Sequence, residues 1–231
     1  MPYFFAAADD GRVNIRGADA AHLARSLRAR AGERIRVIDP GDGRMGQLLQ
    51  VRLVEVSAHQ VEGVVEDAQP YSPEPSREVT IGLALLPDAA LKPALSRCTE
   101  LGATSFYLIR AEHSGPREIS EARLRRYGEI CRESAMLAGR LCIPSVEGPV
   151  GFEEVIKQGG AVLLDRAAPS RLAELSANGT HTLLIGPEGG WSPAELAMVG
   201  ERRASLGPRN LRAENAAATA LAVILAGAGD L

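Results

Sequence analysis

Cysteine, aromatic residues and long apolar runs are all scarce in this chain, and each shortage narrows what it can be. Three cysteines, Cys98, Cys131 and Cys142, occur in 231 residues, an odd number with no CxxC spacing. That argues against a disulfide framework and points to reduced thiols in a cytoplasmic protein. The four histidines, His22, His59, His113 and His181, are scattered without ligand spacing, so no metal is expected. With aromatics at 4%, the core has to be built from Leu, Val, Ile and Ala. No apolar run approaches the roughly 20 residues that cross a bilayer. The opening Met1-Pro2-Tyr3-Phe4-Phe5 has no basic stretch ahead of its apolar residues, so neither a membrane span nor a secretory leader is expected. A net charge of −3 argues against a protein that coats nucleic acid by bulk electrostatics.

The distribution of charge says more than its sum. Residues 1–54 hold nine arginines against six acids, and a second arginine group lies at Arg117, Arg123, Arg125 and Arg126. The first seventy residues read as mostly strand: Arg34–Ile38 alternates polar and apolar, and Gln47–Val56 and Gln60–Val65 are β-rich. Asp39-Pro40-Gly41-Asp42-Gly43 is a turn by composition. A helix over Ala18–Arg30, capped by Asp19 with Leu23 and Leu27 on one face, completes a small barrel or sandwich. The stretch from Gln69 to Ser76, with Pro70, Pro73 and Pro75, reads as a linker, which divides the chain at 1–72 and 76–231.

Beyond it, short apolar runs at Val79–Leu86, Ser105–Ile109, Ala161–Leu164 and Thr182–Ile185 alternate with helical spacing. The helices are expected at Ala89–Leu101, Ser120–Ala138, Phe152–Gln158, Ser170–Ala177, Pro193–Ala204 and Asn215–Ala226. Alternation of this kind implies a largely parallel sheet covered on both faces. Two segments carry a ligand signal. Thr182–Ile185 runs into Gly186-Pro187-Glu188-Gly189-Gly190-Trp191, and Ser192, Pro193 and Glu195 have the spacing of a capping box that opens the next helix. Glycines at the carboxyl end of a strand let backbone approach a ligand closely, yet neither a Walker nor a GxGxxG spacing is present. Some fifteen residues on, Leu206-Gly207-Pro208-Arg209-Asn210-Leu211-Arg212-Ala213-Glu214 leads into a helix that is apolar all round and therefore buried in a core or a subunit interface.

These two segments resemble the signature loops of the ribosomal RNA small-subunit methyltransferase E family, in the SPOUT superfamily of knotted methyltransferases. The resemblance covers the whole chain: His22–Arg28, Gly32 and the Asp39–Gly43 turn are similar to a PUA-like amino-terminal domain. Thr99-Glu100-Leu101-Gly102 and Gly139-Arg140 match further family positions. It implies an α/β chain with a small PUA-like β-barrel domain followed by a SPOUT-type α/β domain with a C-terminal trefoil knot. It also implies S-adenosyl-L-methionine as cofactor, ribosomal RNA in the assembled small subunit as partner, and a homodimer. The matching cofactor positions are Leu164, Asp165, Ile185, Gly186, Pro187, Gly189, Gly190, Leu206, Gly207, Asn210, Leu211 and Arg212. The chain departs from the family pattern at Ser96-Arg97, His113, Met136-Leu137, Asn210 and Asn215, several of them positions expected to face the substrate.

The implied reaction is methylation of uridine N3 in small-subunit ribosomal RNA. N3 carries a proton that has to leave, and it lies on the pairing edge, so the base has to be unpaired or drawn from its stack. On that reading Arg212 holds the RNA or stabilises charge on the uracil oxygens, with Glu214 or Glu188 as orienter or base. His22, Arg25 and Arg28 are the candidate RNA contacts of the first domain. Trp191 suits a hydrophobic plug better than a stacking platform, and His113 and His181 suit surface positions. Two other readings stay open at this level: a SPOUT enzyme acting on another RNA, and a non-catalytic RNA-binding assembly factor.

Overall fold

The computed structural model describes residues 3–41, 43–115, 118–175 and 182–231. They group into two compact units, one running to Glu74 and taking in Ala135–Cys142, the other comprising Pro75–Ser134 and Ile143–Leu231. Arg117 and His181, and the last two residues of the helix expected at Ser170–Ala177, lie outside the described residues.

The first unit contains β1 (Phe4–Phe5), β2 (Ala8–Asp9), β3 (Arg12–Arg16), α1 (Gly17–Ala21), β4 (Arg34–Asp39), β5 (Gly46–Val56) and β6 (Gln60–Tyr71). They form one sheet in the order β1-β4-β5-β6-β3-β2, antiparallel except for β1 beside β4. Alternation decides the buried face. Arg34 and Arg36 are exposed, while Ile35 and Val37 join Phe4, Val13, Ile15, Leu49, Val51, Leu53 and Val61 in the core. Met136 is buried in this cluster too, and its carbonyl accepts the Tyr3 amide at 3.0 Å. It is a core residue rather than one facing a substrate, whereas Leu137 is exposed.

Two expectations need correction here. The helix over Ala18–Arg30 is broken: α1 ends at Ala21 and a single π-helical turn covers His22–Ser26. The residue before α1 is Arg16, with no side-chain cap, so Asp19 lies in the first turn instead of capping it. The wider turn takes Leu27 off the face of Leu23, which is fully buried while Leu27 is 36% exposed. Nor does the linker begin at Gln69. β6 continues through Pro70, opposite Gln47, and Tyr71, opposite Gly46. Proline is tolerated there because β3 pairs only with Gln60–Val64, which leaves that side of β6 an edge. The segment after Tyr71 is itself anchored. The Glu74 carboxylate meets the guanidinium of Arg140, which is 4% exposed, and accepts the backbone N–H groups of Leu141 at 2.7 Å and Cys142 at 3.1 Å.

The second unit contains β7 (Thr80–Ala84), α2 (Asp88–Leu101), β8 (Ser105–Arg110), α3 (Glu121–Ala138), β9 (Ser145–Gly151), α4 (Phe152–Lys157), β10 (Ala161–Leu164), α5 (Leu172–Leu175), β11 (Thr182–Ile185), α6 (Pro193–Val199), β12 (Arg203–Ala204) and α7 (Ala213–Ala228); the last turn of α3 is counted with the first unit. All six strands are parallel, in the order β12-β10-β11-β7-β8-β9. β9 and β12 have no counterpart among the expected strands, being short or rich in glycine and polar residues. The helix expected over Pro193–Ala204 stops at Val199, because Gly200 turns with φ 62° and Arg203–Ala204 joins the sheet beside β10. The uncharged face of α7, Ala217, Ala220, Leu221, Ile224 and Leu225, is buried against a core shared with Leu91, Leu95 and Cys98 of α2.

Candidate active site

In the second unit a cavity of about 500 Å³ opens where three loops meet at the carboxyl ends of β10, β11 and β12. Its size lies in the range of small-molecule sites, and its place follows the rule that open parallel sheets bind ligands beyond their strand ends. The sheet order makes the meeting possible, since β10 lies between β11 and β12 although β12 is last in sequence.

The glycine loop is shaped from both sides. Ser192 caps α6 through the Glu195 amide at 3.2 Å, and the Glu195 carboxylate accepts the Ser192 amide at 2.8 Å. The same carboxylate accepts the Glu112 amide at 2.9 Å, which ties the loop after β8 to the start of α6. The Trp191 indole N–H donates to the Leu164 carbonyl at 3.1 Å, linking the ends of β10 and β11, and its ring lies 5.2 Å from that of Phe152. A Cβ on Gly186 would stand 2.9 Å from the indole, so only glycine fits there without displacing it. Trp191 is thus the hydrophobic plug expected of it, and it also lines the cavity.

Of the residues singled out from sequence, Leu164, Asp165, Ile185, Gly186, Pro187, Glu188, Gly190, Leu206, Gly207, Asn210, Leu211 and Arg212 line this one cavity. Gly189 does not; it lies under His113, whose Cβ would be 3.2 Å from a Cβ added there. The His113 ring sits with Nδ1 3.0 Å from the Gly190 carbonyl. Glu214 is in the first turn of α7 and is not among the lining residues, although its neighbours Ala213 and Ala216 are. His22, Arg25 and Arg28 are exposed in the first unit. Arg209, inside the second signature segment, lines it as well, whereas sequence reasoning passed over Arg166, Trp191, Leu196 and Ala204 as lining residues. Arg166 directly follows Asp165 at a strand end, and that adjacency was the available signal.

The electrostatics are one-sided. The Asp165 carboxylate accepts the Ala167 amide at 2.9 Å and faces Arg203 at 3.4 Å. Arg166, Arg209 and Arg212 are exposed on the rim. Behind the site, Arg97 of α2 donates to the Asn215 side chain in the first turn of α7 at 2.6 Å, so two departures from the family pattern pair with each other.

An RNA methyltransferase domain model matches residues 72–225, and an RNA methyltransferase PUA domain model matches residues 15–49. The ribosomal RNA small subunit methyltransferase E of Synechocystis is 31% identical over 228 residues, 93% of this chain and 73% of its own. The chain belongs to the ribosomal RNA small subunit methyltransferase E family. The protein of that name from Mycobacterium tuberculosis is likewise 31% identical, over 94% of this chain and 87% of its own. In fold, the crystal structure of the Neisseria gonorrhoeae member bound to S-adenosyl methionine matches with a TM-score of 0.84 at 24% identity, covering 97% of this chain and 96% of that one. The family's fold, a PUA-like sheet and a parallel α/β domain, is the one expected from the sequence.

Proposed function

We propose that this chain is an S-adenosyl-L-methionine-dependent methyltransferase that modifies N3 of a uridine in small-subunit ribosomal RNA, acting in the cytoplasm as a homodimer on the assembled subunit. The single observation that carries the reading is the cavity itself: three loops converging at parallel strand ends, walled by Leu164, Ile185, Leu206 and Leu211 and floored by glycine backbone. The residues suit the cofactor. The open space beside Gly207 leaves room for a flat purine, and the aliphatic side chains give it an apolar surface. When bound, the cofactor supplies an electrophilic methyl on sulfur. The chain's own residues then have two tasks, holding the base in line with that methyl and accepting or redirecting the N3 proton. On this reading Arg212, exposed on the cavity rim as the N-cap of α7, stabilises charge developing on the uracil oxygens, and Glu188, which lines the cavity while Glu214 does not, is the better candidate for orienter or base. The reading also carries the family's trefoil knot, in which the chain's end threads through the glycine-loop region. His22, Arg25 and Arg28 then contact RNA from the first unit.

The test is calorimetric titration with S-adenosyl-L-methionine, followed by methyl transfer to unmodified small subunits and location of the methyl by mass spectrometry. Binding and a methyl on uridine N3 are expected, with Arg212→Ala losing more of the transfer than of the cofactor affinity. A methyl elsewhere would move the chain to another RNA target, and RNA binding without transfer would make it an assembly factor.

A further inference from the structure

We infer that Arg166 and Arg209 form a phosphate-binding rim on the catalytic unit, taking the RNA phosphodiesters that flank the target uridine; the inference rests on the methyltransferase reading above. Three guanidinium groups, those of Arg166, Arg209 and Arg212, line the cavity against two carboxylates, Asp165 and Glu188. Asp165 is already engaged by Arg203 and by the Ala167 amide. The result is a local positive excess in a chain whose net charge is −3. Elsewhere the arginines of this unit are mostly tied down: Arg110, Arg123, Arg125 and Arg126 each face an acid, and Arg97 is held by Asn215. Among the described residues, Arg166 and Arg209 have no such partner, are exposed, and come from different loops, so they stand as separate points on one rim.

The sign of the charge selects the ligand. The cofactor carries a sulfonium and an ammonium against one carboxylate, so a rim of free guanidiniums offers it little net attraction. A single-stranded RNA entering with its base unpaired presents phosphates on both sides of that base, and guanidinium forks match phosphate oxygens in geometry and charge. Phosphate contacts of this kind fix register without reading sequence. They would hold the backbone while the uridine turns into the cavity.

The experiment measures the salt dependence of binding of a short fluorescein-labelled single-stranded RNA containing uridine to the full chain, by anisotropy. Arg166→Ala, Arg209→Ala and the two lysine variants are compared with the parent. Each alanine substitution should lower the slope of log affinity against log salt by about 0.7, the value for one phosphate on a single strand. The lysine variants should restore it, since they keep the charge. Calorimetry with S-adenosyl-L-methionine should show a smaller change in cofactor affinity than in RNA affinity for each alanine variant. An unchanged slope in both alanine variants overturns the proposal. So does a loss confined to cofactor affinity, which would put the guanidiniums on the cofactor carboxylate. Parent protein that shows the slopes but transfers no methyl would leave the rim standing and remove the methyltransferase reading, so the two fail separately.

Discussion

The two units solve the same problem, burying Leu, Val and Ile with few aromatics, in opposite ways. In the first, β4, β5 and β6 are sequence neighbours that pair antiparallel, and their alternation can be read directly. In the second, strands of four to seven residues, apart from the two-residue β12, pair parallel with partners that are often distant in the chain: β7 lies between β8 and β11, and β11 begins about a hundred residues after β7 ends. Non-local pairing is harder to see in a sequence and slower to close. It also brings three loops from one stretch of about fifty residues to the same side of the sheet, which is where the candidate site lies. The locally ordered unit is the more legible; the non-locally ordered one holds the chemistry.

Breaking the pair at Glu74 should give the largest effect, and it should fall on the first unit. Glu74→Ala leaves Arg140 nearly buried without its carboxylate and strands the Leu141 and Cys142 amides. Removing one partner of a buried pair costs about 3–5 kcal/mol, read as a drop in unfolding free energy in urea. A change below about 1 kcal/mol, no more than an exposed pair is worth, would show that the segment after β6 is held by something else.

Gly186→Val tests the second unit at its site rather than its core. The added carbon meets the indole of Trp191, whose N–H links the ends of β10 and β11. A displacement of about 1 Å at a site of this kind costs about 10²-fold in turnover. Methyl transfer should fall by that order while circular dichroism keeps its shape; full activity would mean that the loop adjusts freely.

A pH series separates the units without mutation. In the second unit, burial and the Asp88 carboxylate push Tyr127 up to about 12 from 10.0. Burial, with Cys131 close by, pushes Cys98 up to about 12 from 9.0. Both folded values lie above the unfolded ones, so the stabilisation is complete below the ordinary value and is lost as pH rises toward about 12. Asp88 works in the other direction. Lys92, Arg123 and Tyr127 hold its carboxyl well below the usual range, so its contribution is present at neutral pH and fades as pH falls below the ordinary carboxylate value. Amide exchange followed against pH should therefore show β7 and β8 losing protection above pH 9 before β4 and β5 do. Tyr127→Phe should flatten that limb in part, and equal loss in both sheets would erase the distinction.

The smallest effect belongs to the cap of α6. Ser192→Ala removes the acceptor for the Glu195 amide and should cost about 1 kcal/mol in urea unfolding. Its cofactor affinity should change less than that of Gly186→Val, because Trp191 still holds the loop.

The amino-acid sequence by itself determined the two kinds of sheet, the capping box at Ser192 and Glu195, and the two loops whose residues line the cavity. Each of these rests on a local period or a fixed short spacing. Local pattern failed where a tertiary demand overrode it. Leu27 turns outward because a π-helical turn follows α1, Pro70 stays in a strand because its outer side is an edge, and Arg203–Ala204 leaves helical spacing to pair with β10. Only the tertiary structure decided that Met136 belongs to the core of the first unit, that Gly189 faces His113 and not the cavity, and that Arg166, Leu196 and Ala204 share the cavity with the signature loops. Those facts depend on which strand lies beside which, and residues far apart in sequence carry no local mark of their meeting.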